Sequence, residues 1–283
     1  MRYHIELLIK KFLGTDVAER TFAVFPDDTF LISYPRSGNT WTRFLIANLV
    51  FPNVDVSFRN IERLIPDTSS QSTRALRRTP RPRIIKSHEY FDHRCRKVIY
   101  IVRDPRDVVL SYYDFERKYR HFDDTYPLAS YVDDFVNGKL NSIGWGTWAE
   151  NVASWVYTRG KSSNFLLLRY EDMILNTETE LARIATFLGI EPKPALILHA
   201  VQKSTADRMR EMEKTQSQDW AATKNRRTDI PFVRTATSGG WKAKLPPECA
   251  AQIEAAWGDL MTSLGYELTT SNPANVLEKK QTV

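Results

Sequence analysis

Hydrophobic and polar positions change their period within one stretch near the start of the chain, Thr29 to Val50. Its first residues, Thr29 to Ser33, form a short apolar and β-branched run with turn-forming residues on both sides, which predicts a buried strand. From Thr40 to Val50 the apolar residues recur at helical spacing, which predicts a helix. The stretch therefore predicts a strand, a tight loop and a helix in succession.

The loop between these two elements has the composition of an anion site. It reads Y-P-R-S-G-N, and Gly38 lies where the backbone must turn without a Cβ clash and enter a helix N-terminus. Free N–H groups at that terminus favour an anion. The pattern G-x-x-x-x-G-K-[ST] is not met, because Asn39 and Thr40 follow the glycine and Arg36 supplies the cation instead. The sequence predicts a phosphate loop, and the missing Lys argues against an ordinary Mg-nucleotide triphosphatase.

A second apolar run ends in residues that can do acid-base chemistry. Ile84 and Ile85 predict a strand, with Lys86, Ser87 and His88 at its end. Ligands of doubly wound sheets lie beyond the carboxyl ends of the strands, so Lys86 and His88 are expected to face the same crevice as the loop. A general base there requires a neutral imidazole, with a pKa of about 6.5 to 7.

A third strand, K-V-I-Y-I-V, leads into another turn and helix. Pro105 suits the first helical turn, with Asp104 as the N-cap before it. Arg103 at the strand end and Ser111 two turns into the helix are expected to point into one pocket, where they would form a second phosphate fork. The alternative is a plain ion pair between Arg103 and Asp107.

Length and pattern together predict an α/β fold, with a doubly wound and mainly parallel sheet flanked by helices and a P-loop-like strand-loop-helix. The chain has 283 residues, of which 42% are hydrophobic, enough for one large domain. We expect an N-terminal helix and lead-in over residues 1–28, a single domain over 29–270, and a disordered tail over 271–283.

Charge and cysteine content narrow the class of protein. The formal charge of +6 favours anionic partners, although a modest excess of this kind also serves solubility. Cys95 and Cys249 form no disulfide framework, and Cys and His show no metal-ligand spacing, so we expect no metal and a reducing cytoplasm. No apolar segment approaches the ~18 residues of a membrane span, and the first residues predict an amphipathic helix and not a signal peptide.

The motifs resemble those of the cytosolic sulfotransferase family, whose donor is 3′-phosphoadenosine 5′-phosphosulfate (PAPS) and whose product is PAP. Tyr34 to Trp41 fits Y-P-[KR]-S-G-[TN]-[TN]-W, Lys86 to His88 fits K-[ST]-H, and Arg103 to Tyr113 fits R-[ND]-P-[KR]-D-V-x-[VL]-S-Y-Y. The resemblance spans Phe30 to Tyr266. It implies transfer of a sulfonate group to a hydroxyl or amine of a small molecule, with His88 as the catalytic base.

The resemblance also implies roles for the other site residues. Arg36 and Lys86 would offset charge on the departing phosphate, and Arg103 and Ser111 would hold the 3′-phosphate. Tyr170 would contact the adenine. The implied catalytic residues are His88, Lys86, Arg36 and Ser111, and the implied cofactor-binding residues are Arg36, Ser37, Gly38, Asn39, Thr40, Trp41, Arg103, Ser111, Tyr170, Thr205, Phe232, Arg234 and Thr235.

Several positions depart from the family pattern. Asn151 replaces a His that is often found near the acceptor pocket, and Thr235 replaces a Lys near the 3′-phosphate. Ala206 occupies the place of an aromatic that stacks on adenine, which leaves Trp41 to stack alone unless Phe232 compensates. The family's short dimer segment is not matched, so both a monomer and a homodimer remain possible.

Two segments match the family least, and they are predicted to line the acceptor site. From Pro52 to Pro82 we expect a short helix near Ile61 and then a mobile, solvated stretch. From Arg208 to Arg227 the chain is highly charged with few apolar anchors, which predicts a mobile lid. A basic run at the end of the first segment and just beyond it consists of Arg74, Arg77, Arg78, Arg81 and Arg83.

Two other functions remain as alternatives. A small-molecule kinase of P-loop type that uses a nucleoside triphosphate would need the missing loop Lys and an Asp to hold Mg²⁺ after a strand. A polyanion-binding protein would use Arg74 to Arg83 with Arg226 and Arg227. We do not expect a nucleic acid as a partner. The sequence leaves the acceptor open, since acceptor pockets are built from loops.

Overall fold

The computed structural model describes residue 13 and residues 16–140, 145–233 and 237–269. Three expectations from the sequence lie outside these residues. They concern the N-terminal amphipathic helix, the tail over 271–283, and the two donor-site residues Arg234 and Thr235.

A sheet of four parallel strands forms the centre of the molecule, in the order β2-β1-β3-β4. Every residue of β1 is buried, because this strand pairs with β2 on one side and β3 on the other. The prediction of an α/β fold with a mainly parallel sheet is confirmed. The strands are β1 (Thr29–Ser33), β2 (Ile84–Ser87), β3 (Lys97–Val102) and β4 (Phe165–Arg169).

Helices cover both faces of the sheet. They are α1 (Asn39–Val50), α2 (Ile61–Leu64), α3 (Thr73–Arg78), α4 (Pro105–Tyr119), α5 (Leu128–Val136), α6 (Trp148–Arg159), α7 (Tyr170–Leu175), α8 (Thr177–Leu188), α9 (Pro194–Lys203), α10 (Ala206–Gln216), α11 (Trp241–Lys244) and α12 (Pro247–Ser263). None of the helices in the described part of the chain is long and apolar enough to cross a membrane.

Strand side chains alternate between two separate cores. Phe30 and Ile32 pack with the aromatic residues of α4, α5, α6 and α12, whereas Leu31 packs with α1, α8 and α9 on the opposite face. This division follows from the two-residue period of a strand, which sends successive side chains to opposite faces. The two cores fix β1 between its neighbours, and they thereby fix the position of the loop at its carboxyl end.

The segment from Pro52 to Pro82 is more ordered than its composition predicts. The short helix near Ile61 is present as α2, but a second helix, α3, occupies part of the stretch predicted to be mobile. The expectation of a solvated basic run is wrong for Arg83. Its guanidinium is buried and contacts the Asp28 carboxylate at 2.5 Å. A partner 55 positions away along the chain cannot be seen in local composition.

Residues 206–233 form a covering segment over the sheet's carboxyl edge, and the stretch predicted to have few apolar anchors, Arg208 to Arg227, has two that are buried. Met209 in α10 and Trp220 after it are both buried. The Trp220 ring stacks on Phe58 with 4.6 Å between centroids, and its Nε1–H donates to Glu62 at 2.9 Å. Two anchors among many charged residues were enough to fix the segment.

Candidate active site

The loop between β1 and α1 has the backbone of an anion cradle. Gly38 is the N-cap of α1 and has φ of +92°, in the left-handed region that favours glycine. A Cβ added there would lie 2.3 Å from the Tyr170 ring, so the position also has no room for a side chain. The glycine is therefore required twice, by its dihedral angle and by the close approach of Tyr170.

Arg36 extends from this loop across the carboxyl edge of the sheet. Its Nε–H donates to Ser111 Oγ of α4 at 3.2 Å. The guanidinium carbon lies 4.8 Å from the centre of the Phe115 ring and 5.0 Å from that of Phe232. Two aromatic faces and one hydroxyl thus hold the cation that the sequence predicted would replace the usual Lys.

Arg103 at the end of β3 meets the same loop from the other side. Its Nη1 donates to the Arg36 carbonyl at 3.2 Å, and its guanidinium carbon lies 4.3 Å from the centre of the Tyr170 ring. The alternative ion pair with Asp107 is long, at 4.0 Å, and Asp107 instead accepts the backbone N–H groups of residues 239 and 241. Among the described residues, the buried Nε of Arg103 has no hydrogen-bond partner.

His88 follows β2 directly and is held in one tautomer. Its Nδ1 lies 2.8 Å from the Ser33 carbonyl oxygen, which can only accept, so Nδ1 carries the proton and Nε2 has the lone pair. Burial, with the Lys86 charge as the next cause, lowers the pKa of His88 to about 3. The expectation of a pKa of about 6.5 to 7 is therefore wrong, since a strand end could not reveal the tertiary packing around the ring. The imidazole is neutral, as a general base requires.

Asn151 supports this histidine, although the sequence marked it only as a departure from the family pattern. Its side-chain amide donates to the carbonyls of His88 and Trp145, at 3.0 and 2.9 Å, and accepts from the Tyr100 hydroxyl at 2.8 Å. The Trp145 ring in turn meets the His88 ring edge-on, with 5.5 Å between centroids. Asn151 thereby joins α6 to the residues on either side of the imidazole.

Lys86 is not a solitary cation, because its ammonium donates to Asp67 at 2.6 Å with both side chains largely buried. Burial lowers the pKa of Lys86, and the Asp67 charge acts in the opposite direction. Lys86 in turn holds the pKa of the Asp67 carboxyl well below its usual range. Sequence reasoning missed Asp67, which lies in a segment predicted to be mobile and 19 positions from its partner.

One cavity of about 520 Å³ joins these groups. Of the predicted donor-site residues that the structure describes, two do not line it. Ser37 is fully buried in the loop, and Thr205 caps α10 by accepting the Arg208 N–H. The predicted site residues that do line the cavity are Arg36, Gly38, Asn39, Thr40, Trp41, Lys86, His88, Arg103, Ser111, Tyr170 and Phe232.

The cavity suits a nucleotide with phosphates at both ends. The loop reaches the cavity at the N-terminus of α1, and Arg36 and Arg103 add two cations to the cavity lining. Trp41 and Tyr170 pack edge to face, at 6.1 Å between centroids, and offer aromatic surface to a base. Ala206 also lines the cavity and presents no ring.

Comparison with known proteins gives a consistent result. A family model described as a sulfotransferase domain matches residues 26–265. Sulfotransferase 1A1 of Mus musculus is 28% identical over 277 residues, which are 92% of this chain and 93% of that protein. Sulfotransferase 1E1 of Rattus norvegicus is 25% identical and covers 89% of each chain.

Solved structures share the fold. Retinol dehydratase in a complex with retinol and PAP superposes with a TM-score of 0.73 at 19% identity, over 85% of this chain and 82% of that one. Mouse sulfotransferase SULT7A1 complexed with PAP gives a TM-score of 0.67 at 22% identity, over 89% and 91% of the two chains.

Proposed function

The chain belongs to the sulfotransferase family, and from this premise we propose that it moves the sulfonate group of PAPS to a hydroxyl or amine of a small molecule, with His88 as general base. One observation carries the proposal. Arg36, Arg103 and His88, which come from three separate strand ends, line a single cavity. The neighbours named above hold PAP, the product of such a donor.

The proposed donor site uses the two arginines at different ends of one nucleotide. The β1–α1 loop, with Gly38 and Arg36, would bind the 5′-phosphate, and Arg103 would bind the 3′-phosphate with the Ser111 hydroxyl beside it. Trp41 and Tyr170 would contact the adenine. When bound, PAPS supplies a sulfonate group whose bond to the 5′-phosphate breaks as the acceptor oxygen bonds to sulfur.

The chain's own residues would manage the proton and the charge. The acceptor hydroxyl gives its proton to Nε2 of His88, because Nδ1 is already protonated and bound to the Ser33 carbonyl. Arg36 and Lys86 stabilise the negative charge that grows on the departing phosphate, and preorganised cations of this kind commonly contribute on the order of 3 kcal/mol each. The covering segment lines the same cavity, where it would limit the access of water to the reacting groups.

The acceptor would lie against the aromatic part of the cavity. Trp145 contacts the His88 ring, and Tyr119, Trp220 and Phe232 line the cavity with it. A solved relative was crystallised with retinol, and another complex of the same enzyme holds androsterone. We therefore propose that the acceptor is a small hydroxylated molecule. We also propose that the protein acts in the cytoplasm and that residues 29–270 form a single transferase domain.

A transfer assay tests the function directly. Labelled PAPS is incubated with the protein and a panel of phenols, sterols, sugars and amines, and labelled product is detected by mass spectrometry. Thermal shift then compares PAP with ATP plus Mg²⁺, since a ligand at 100 times its dissociation constant stabilises the fold by about 2.7 kcal/mol. Stabilisation by PAP alone supports the proposal. Stabilisation by ATP alone would point to a kinase, and retention on heparin that survives Arg36→Ala would point to a polyanion-binding protein.

A further inference from the structure

A cluster of paired charges lines the cavity near His88, and the transfer mechanism above uses only its Lys86. Arg43 in α1 binds Glu62 of α2 through two nitrogens, at 3.0 and 2.9 Å. Asp67 and Lys86 form the second pair, at 2.6 Å. All four side chains line the cavity. The two carboxylates and the two cations balance, so the cluster carries no net charge. It is therefore a poor site for a charged acceptor.

Asp67 is fixed in this cluster from every direction. Its Oδ1 accepts the Ser69 N–H and hydroxyl at 2.9 and 2.7 Å, and its own N–H donates to Glu62 at 3.2 Å. The neighbouring backbone pairs with β2 as a single parallel bridge, in which Lys86 N–H donates to the residue 66 carbonyl at 2.8 Å. Asp67 and Lys86 are thus cross-strand neighbours at the sheet edge, and the carboxylate cannot follow a change in the ammonium position.

We propose that Asp67 is a positioning residue for sulfonate transfer, which holds the Lys86 ammonium beside His88 and keeps it protonated inside the cavity. The proposal rests on the proposed function above and adds a role for a residue outside the motifs. The ammonium has three N–H donors, so it can donate one to Asp67 and another to the departing phosphate. Asp67 acts only through Lys86 and touches none of the reacting atoms.

The charges around Lys86 explain why one carboxylate matters. Burial and Arg43 lower the pKa of Lys86, whereas Asp67 and Glu62 raise it. Glu62 is already shared between Arg43, Trp220 and the Asp67 backbone. Without the Asp67 charge, Lys86 would lose its proton at lower pH, and a neutral amine would stabilise the phosphate poorly. The His88 pKa would fall as well, because Asp67 is among the groups that raise it and Arg36 and Lys86 lower it.

The test compares two buried aspartates that are each paired with a cation. Asp67→Asn keeps the shape and the acceptor oxygen for Ser69 but removes the charge. Asp28→Asn does the same to the buried Asp28–Arg83 pair, which lies outside the cavity. We expect Asp67→Asn to lower kcat by roughly tenfold or more and to move the alkaline limb of the kcat profile to lower pH. Asp28→Asn should lower the melting temperature and leave the profile unmoved.

Two further measurements keep the proposal falsifiable. Titration of the Lys86 side chain by ¹³C NMR, assigned with Lys86→Arg, should show a lower midpoint in Asp67→Asn, and it needs no turnover. Asp67→Glu should return the midpoint towards that of the wild type. If the midpoint does not move, or if Asp67→Asn lowers kcat further in a Lys86→Met background, the proposal is wrong. A wild type that transfers no sulfonate would overturn the proposed function alone.

Discussion

The carboxyl edge of the sheet and the covering segment are built in opposite ways. At the edge, backbone groups of the β1–α1 loop and the left-handed Gly38 set the geometry, and strands on both sides hold it. The covering segment is held by side chains. Lys118 of α4 donates to the carbonyls of residues 227 and 230, at 2.7 and 2.6 Å, and to Glu213 at 3.3 Å, while Glu213 accepts the N–H groups of residues 232 and 233.

One face of α4 joins the two regions. Ser111 binds Arg36, Phe115 packs under the Arg36 guanidinium, and Lys118 ties down the covering segment. The edge is thus held by backbone pairing, whereas the cover is held by side chains, among them the buried Lys118–Glu213 pair and the Trp220 anchor. We infer that residues at the sheet edge carry out the transfer and that the covering segment selects the acceptor. Substitutions at the edge should therefore change kcat, and substitutions in the cover should change the acceptor KM.

The largest effect is expected for His88→Ala at the edge. Loss of the base should lower kcat by at least about 10², while the dissociation constant for PAP changes by less than about threefold, because the ring does not belong to either phosphate site. Single-turnover transfer and calorimetry with PAP measure the two quantities. Turnover that survives the substitution would assign the base to another residue.

Gly38→Ala should break the cradle and leave the cover intact. The added methyl group would meet the Tyr170 ring at 2.3 Å in a backbone conformation that alanine rarely adopts, so we expect PAP binding to weaken by roughly 10- to 100-fold. Gly189→Ala is the matched control. Gly189 has φ of +81° but nothing within 4 Å, so it tests backbone strain without the clash. Equal loss of PAP binding in both variants would contradict the assigned cradle.

Glu213→Gln should act on the cover in a different way. A weaker link to Lys118 and to the backbone of residues 232 and 233 should raise the acceptor KM by roughly three- to tenfold, the effect of about 1 kcal/mol. Hydrogen exchange should quicken over residues 206–233 and not in β1. Glu211→Gln, on the exposed side of the same helix, should change neither quantity. A fall in kcat without a change in the acceptor KM would contradict the inference that the covering segment selects the acceptor.

The smallest expected effect is on stability in mild acid. The pKa of His88 is lowered to about 3 in the folded protein and is about 6.5 in the unfolded chain, so the unfolded chain binds more protons between these values. Stability should therefore fall as the pH drops from about 6.5 towards 3. Between pH 7 and 5.5 the free energy of unfolding, measured with urea, should fall by about 1 kcal/mol less in His88→Asn than in the wild type. Identical pH slopes would contradict the low pKa of His88.

The sequence predicted what short stretches determine. The β1–α1 unit and the Asp104-capped α4 follow from local periodicity, a glycine and a proline, and both are confirmed. It could not predict contacts between distant segments. Asp67 beside Lys86 and Trp220 on Phe58 depend on tertiary packing. The His88 pKa also depends on enclosure by the whole site, which no motif encodes.

Calorimetry with PAP and adenosine 5′-phosphate on Arg36→Ala and Arg103→Ala tests most directly whether the two arginines hold opposite ends of one nucleotide. Arg36→Ala should weaken both ligands. Arg103→Ala should weaken PAP by roughly tenfold or more and leave adenosine 5′-phosphate within about twofold, because that ligand lacks the 3′-phosphate. Equal weakening of both ligands by Arg103→Ala, or of neither, would contradict the account.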